Sequence, residues 1–192
     1  MLEEALSLIS IKMRKDLMRE IEIPDGVTVK KTNDEVSVSG SGKELKREFD
    51  FGKVKMEVKD KKVVLKAEKA TRRESRMIGT IWAHLKNMIK GISEEFVYEL
   101  EICNVHFPMN VKVEGSEVVI KSFLGEKTDR FAKILPNVKV DISGSKITVT
   151  SNDIEAAGLT ATNLEKAARL TGRDRRIFQD GIFITSKNGR TI

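Results

Sequence analysis

The chain has 192 residues, 40% of them hydrophobic, with 35 Lys and Arg against 29 Asp and Glu and a formal net charge of +6. That length allows two domains of roughly 90 residues, each with a modest core of its own. A single cysteine excludes an internal disulfide and suits a reducing cytosol, and no apolar run reaches the roughly 18 residues that a membrane-spanning helix needs.

The first stretch, Leu2 to Ile11, is apolar in places, but Glu3 and Glu4 stand where an export signal carries positive charge. It reads as a short helical extension, or as an upstream start ahead of Met13 or Met18. Residues 1–19 are therefore expected to be an N-terminal extension, 20–95 a first domain, and 96–192 a second domain with a basic C-terminal tail.

From Ile23 onward, apolar residues alternate with polar ones. Val27 and Val29, Val36 and Val38, Val54, Met56 and Val58, then Val63 and Leu65 read as half-buried antiparallel strands, separated by turn residues such as Asn33-Asp34 and Gly40-Ser41-Gly42. The period then becomes helical. Thr71 and Glu74 have capping-box spacing, and Met77, Ile78, Ile81, Trp82, Leu85, Met88 and Ile89 form one apolar stripe that is expected to stop at Gly91. The helical stripe makes Trp82 a core residue, with Lys86 and Lys90 on a different face.

The plan is then repeated. Val111 and Val113, Val118 and Ile120, Val138, Val140 and Ile142, and Ile147 and Val149 alternate as strands. Asn152 and Glu155 take the cap spacing, Ile154, Ala157, Ala161, Leu164 and Ala168 make the stripe, and Gly172 is expected to end the helix. Pro24 and Pro108, Val27 and Val111, Val54 and Val138, Lys62 and Lys146, and Leu65 and Val149 all stand 84 residues apart. Two separated blocks in one register mark a tandem duplication. The fold class that follows is α+β, with two duplicated domains, each an antiparallel sheet packed against one helix.

Charge is unevenly placed. Residues 69–90 hold six bases against one acid, and 166–192 hold seven against two, a net of +5 in each, while 97–165 hold seven bases against ten acids. Such gathering suits docking against phosphates, and it equally suits helix C-termini that carry cations and a surface that stays soluble. For the first helix the two readings stand level. For the tail, where Arg173, Arg175 and Arg176 fall within four residues, the nucleic-acid reading is favoured.

Catalytic signals are sparse. Cys103 and His106 are three apart on a segment, Val97 to Phe107, that alternates like a strand, which sends them to opposite faces and denies them a shared metal ion. His84 lies inside the first helix beside Leu85. Gly40-Ser41-Gly42-Lys43 resembles the end of a phosphate loop but has Ser37 and Glu44 where that loop needs a glycine and a hydroxyl residue. No convergent site remains, and neither an enzymatic activity nor a cofactor is expected.

The strings NMIKG (Asn87 to Gly91), HFP (His106 to Pro108), SFLGEK (Ser122 to Lys127) and GRDRRIFQDGIFI (Gly172 to Ile184) resemble the ribosomal protein L6 family of the large subunit, in its archaeal and eukaryotic branch. The resemblance runs from about Glu20 to Lys187, and Gly172-Arg173-Asp174-Arg175-Arg176 in place of a proline- and lysine-rich tail points to an archaeal source. It implies a cytoplasmic, ribosomal protein that binds large-subunit rRNA near the sarcin-ricin loop and stalk base. Neighbouring large-subunit proteins, including those of the stalk base, are the implied protein partners. The rRNA-binding candidates are Arg173, Arg175 and Arg176 in the tail, with Lys166, Arg169, Lys187, Arg190 and Lys127 in the same half and Lys86 and Lys90 on the first helix. A free nucleic-acid-binding module would share this charge pattern, and a protein adaptor would instead use the acidic second sheet.

Overall fold

The structure, a computed structural model, describes residues 15–59 and 61–192. The stretch Leu2 to Ile11 and its expected helical extension lie outside the described residues. The chain forms two compact units that part between Ser93 and Glu94.

In the first unit, β1 (Lys15–Glu22), β6 (Lys62–Ala70) and β5 (Lys55–Lys59) make one antiparallel sheet, and β2 (Val27–Thr32), β3 (Glu35–Gly40) and β4 (Lys43–Glu48) make another. The turns follow local chemistry. Asn33 adopts φ 56° between β2 and β3, and Ser41 and Gly42 adopt φ 52° and 77° in the two-residue connection from β3 to β4, the left-handed pair that a tight hairpin requires. Alternation does the rest: Val36, Val38, Val63 and Leu65 are fully buried and meet the stripe of the helix α1 (Arg72–Ser93) in one core with Ile78 and Leu85.

The start of β1 differs from the expected boundary at residue 20. Lys15 to Arg19 pair with β6 as part of the sheet, and Leu17 packs against the core. Arg19 interrupts the inward series Leu17, Arg19, Ile21, which hides the pattern; its guanidinium reaches to 5.5 Å from the Trp82 ring centre while the residue stays exposed. The helix also runs past its expected end. Gly91 and Ile92 are buried in the last turn, so core packing carries α1 to Ser93 despite the glycine.

The second unit repeats the topology strand for strand. Here β7 (Phe96–Cys103), β12 (Lys146–Ser151) and β11 (Val138–Ser143) correspond to β1, β6 and β5, and β8 (Asn110–Glu114), β9 (Glu117–Lys121) and β10 (Arg130–Lys133) correspond to β2, β3 and β4. The duplicated α+β plan is thus present, with the strands of each repeat divided between two antiparallel sheets. Two strands are added beyond the repeat: β13 (Gly181–Lys187) pairs with the free side of β7, and β14 (Arg190–Thr191) pairs with β13.

The helix α2 (Ile154–Ala167) buries Ala157, Ala161 and Leu164 against Leu100, Val149 and Ile182. Its N-cap is Asp153, not Asn152, since the Asp153 carboxylate accepts the Glu155 amide at 2.9 Å. Its C-terminus lies at Ala167, well before Gly172. The Arg130 guanidinium donates to the carbonyls of Ala167 and Arg169, each at 3.0 Å, and so satisfies the groups that a further turn would have used.

Candidate nucleic-acid interface

The segment that leaves α2 returns to the sheet through Gly172, at φ 72°, and a turn built on Asp174. The Asp174 carbonyl accepts the amides of Ile177 and Phe178 at 3.1 and 2.9 Å, and its carboxylate accepts the Arg176 amide at 2.9 Å. The same carboxylate faces the Arg176 guanidinium, and Arg173, Arg175 and Arg176 are all exposed. The Arg176 side chain remains 91% exposed even with its guanidinium 3.3 Å from Asp174.

A groove of about 780 Å³ opens beside this turn, with Lys166, Arg169 and Arg175 on its rim and Leu170, Ile182 and Phe183 among its apolar lining. Lys166 belongs to the last turn of α2 and Arg169 follows it, so both cations sit where the helix's C-terminal partial charge favours them. Arg173 does not reach outward alone; its guanidinium lies 4.8 Å from the centre of the Phe178 ring. Exposed apolar side chains adjoin these bases in sequence and at the groove, with Val105 at 67% and Ile177 at 64% exposure.

The other candidates are dispersed. Lys127 follows Glu126, whose carboxylate is bound by Arg130, so its backbone is tethered to the C-terminal end of α2. Lys187 and Arg190 face each other across the β13–β14 hairpin. At about 3.4 Å per residue, the seven-residue β13 carries them roughly 20 Å from Gly181, at the far end of the strand from the groove. Lys86 and Lys90 lie on α1 in the first unit, and Lys86 is not on a face apart from the stripe: its ammonium sits 5.0 Å from the Trp82 ring centre, one turn away. Trp82 itself is half-buried at the edge of the core.

His106 takes a different place from the one its strand-like surroundings suggest. Strand β7 ends at Cys103, and in the loop beyond it the His106 amide donates to Asp180 at 2.9 Å while its Nδ1 lies 2.6 Å from the other carboxylate oxygen. Asp180 is only 1% exposed. Burial pushes its carboxyl up, but the amide and ring of His106 outweigh this and hold it below the usual aspartate value. Cys103 borders the groove with its thiol pushed up by burial and by the acids Glu101 and Asp180, which leaves it a poor nucleophile. Among the described residues, no group of three His, Cys, Asp or Glu side chains is placed to hold a metal ion. Neither Arg130 nor the His106–Asp180 pair stood out in the sequence, since each depends on partners 37 to 74 residues away.

The sequence profile of the family described as "Ribosomal protein L6" matches residues 23–95 and again 107–181, two segments whose starts are 84 residues apart like the repeat itself. The chain belongs to the ribosomal protein L6 family. It is 42% identical over 176 residues to the large ribosomal subunit protein uL6 of Methanococcus vannielii, covering 92% of this chain and 97% of that one. With uL6 of Methanosarcina mazei it shares 44% identity over 175 residues, covering 91% and 99% respectively. As an L6 protein it is a structural constituent of the large ribosomal subunit in the cytoplasm and not an enzyme.

Proposed function

We propose that this L6 protein binds large-subunit rRNA through the second unit, near the sarcin-ricin loop and stalk base, and so supports the region where translation factors dock. Neighbouring large-subunit proteins, including those at the stalk base, complete its surroundings. The observation that carries this reading is the rim of the 780 Å³ groove, where Lys166, Arg169 and Arg175 stand together beside the outward arginines of the 173–176 turn.

The arrangement suits structured RNA. A-form helices hide their base edges in a deep groove, so a folded domain meets them through phosphates, 2′-hydroxyls and shape. Guanidinium groups bridge two phosphate oxygens or lie flat on an unpaired base, and the exposed Val105 and Ile177 offer such a base an apolar surface. Each phosphate neutralised releases counterions, which makes salt dependence the direct readout.

The test is binding of the full chain to purified large-subunit rRNA across a salt series. Arg175→Ala with Arg176→Ala should weaken binding and flatten the log–log salt slope by about 0.7 to 0.9 per lost contact. Arg175 should account for more of the loss than Arg176, which already shares its charge with Asp174 at 3.3 Å. An unchanged slope in a folded variant removes the segment from the interface. Chemical footprinting of the same rRNA, with and without the protein, tests the location.

A further inference from the structure

Four side chains from two separate loops form a single column. Asp180, 1% exposed, binds both the amide and the ring of His106; the His106 ring stacks on Phe178 with centroids 4.9 Å apart and planes tilted 31°; and the Arg173 guanidinium covers Phe178 at 4.8 Å. The backbone hydrogen bonds formed within 172–178 among the described residues are internal to the Asp174 turn. The column therefore adds a side-chain tie from this arginine-bearing turn to the loop that follows β7.

We infer that His106 is a positioning residue for RNA recognition: pinned by Asp180, it holds Phe178 and through it Arg173 and the 173–176 turn in the conformation that meets phosphate. The inference rests on the proposed rRNA interface and adds a device to it. A free loop bearing several long arginine side chains loses backbone and rotamer freedom on binding, which weakens association. Fixing the loop during folding removes that loss from the binding step. The buried carboxylate makes the pin firm, because a charged group with almost no solvent contact depends on its hydrogen bonds, here from His106 and the Phe107 amide.

His106→Asn separates the roles. Its side-chain amide keeps a donor near the Nδ1 position for Asp180 and removes the ring that supports Phe178. Phe178→Leu is the companion variant, since it leaves the His106–Asp180 pair intact and breaks the column one tier further out. Both full-length proteins should bind purified large-subunit rRNA roughly 3- to 10-fold more weakly, with a faster dissociation rate. Trypsin should cut them faster at Arg173, Arg175 and Arg176 in the absence of RNA.

Combining either variant with Arg173→Ala should give less than the product of the two separate losses, because both act through the same turn. If the Arg175 and Arg176 alanine variant binds rRNA normally, the interface reading fails and this inference with it. If that variant is impaired but His106→Asn and Phe178→Leu bind and resist trypsin like the unaltered protein, or if their losses multiply independently with Arg173→Ala, the positioning role alone is overturned.

Discussion

Arg130 grips both oxygens of Glu126, at 2.7 and 2.6 Å, while its remaining terminal nitrogen donates to the carbonyls of Ala167 and Arg169 and its guanidinium covers Phe123 at 4.2 Å. One side chain thus joins β10, the loop before it and the end of α2, the helix whose last turn carries Lys166. Only a planar fork meets these partners at once. Arg130→Lys should cost about 1–3 kcal/mol in a urea melt of the second unit, since a lysine leaves carbonyls at the helix end without their donor. The Glu126 carboxyl is held below its ordinary value of 4.5 chiefly by its hydrogen bond to Arg130, so this contribution is present above that value and is lost as pH falls below it. A lysine variant as stable as the parent would show that water serves these carbonyls equally well.

The capping box of α1 gives an acid-side signature. Glu74 accepts the Thr71 amide at 2.8 Å and the Thr71 hydroxyl, and that hydroxyl oxygen accepts the Arg73 amide at 3.2 Å. The bonds to the Glu74 carboxylate, that from the Thr71 hydroxyl first and the Thr71 amide next, lower it from 4.5 to about 2. Because the folded value is the lower one, the stabilisation is complete above pH 4.5 and disappears as pH drops toward 2. Glu74→Gln keeps an acceptor for the Thr71 amide but cannot titrate. Its stability should fall less steeply than the parent's across that window in paired denaturant melts, and parallel curves would remove Glu74 from the acid response.

Gly40 lies at the tight end of β3, where an added Cβ would come within 2.9 Å of both the Gly26 carbonyl oxygen and the Ile92 side chain. The isoleucine could shift, but the backbone oxygen belongs to a turn with little slack. Gly40→Ala should therefore destabilise the first unit by about 1–3 kcal/mol through overpacking. Gly42→Ala in the hairpin next to it meets no atom within 4 Å but requires φ 77°, so its cost should come from backbone strain and be closer to 1 kcal/mol. Thermal melts that rank the two variants the other way would contradict the packing argument.

Repetition and alternation made the fold legible. Val36, Val63, Leu65, Ile147 and Val149 alternate in sequence and are buried in the structure because one inward face per strand is all that a half-buried sheet demands. Elements that break local rules were hidden: Arg19 stands on an inward register, Ile92 extends a helix past Gly91, and Arg130 ends α2 from another strand. The proposed interface divides in the same way. The arginine cluster is a local run and could be read directly, whereas the column from Asp180 to Arg173 depends on His106, brought back by the pairing of β7 with β13.

Trp82 tests how far the apolar stripe of α1 behaves as core. Its Nε1 donates to the Glu20 carbonyl at 3.1 Å, and Arg19 and Lys86 flank its ring at 5.5 and 5.0 Å, so the side chain closes the edge of the core beneath charged groups. Trp82→Ala should then cost about 2–3 kcal/mol, less than the roughly 3–5 kcal/mol of a fully enclosed aromatic. Trp82→Phe should cost about 1 kcal/mol, mainly the lost bond to Glu20. Lys86→Ala uncovers one side of the ring and should cost under about 1 kcal/mol, while Lys90→Ala should stay within about 0.5 kcal/mol. Since Trp82 is the only tryptophan in the chain, the fluorescence of Lys86→Ala should also shift toward that of a more hydrated indole. Salt-titrated rRNA binding of the two lysine variants, well below their melting temperatures, decides whether this face meets phosphate: an unchanged slope leaves Lys86 and Lys90 as solvated surface, and a reduced slope adds the first unit to the interface.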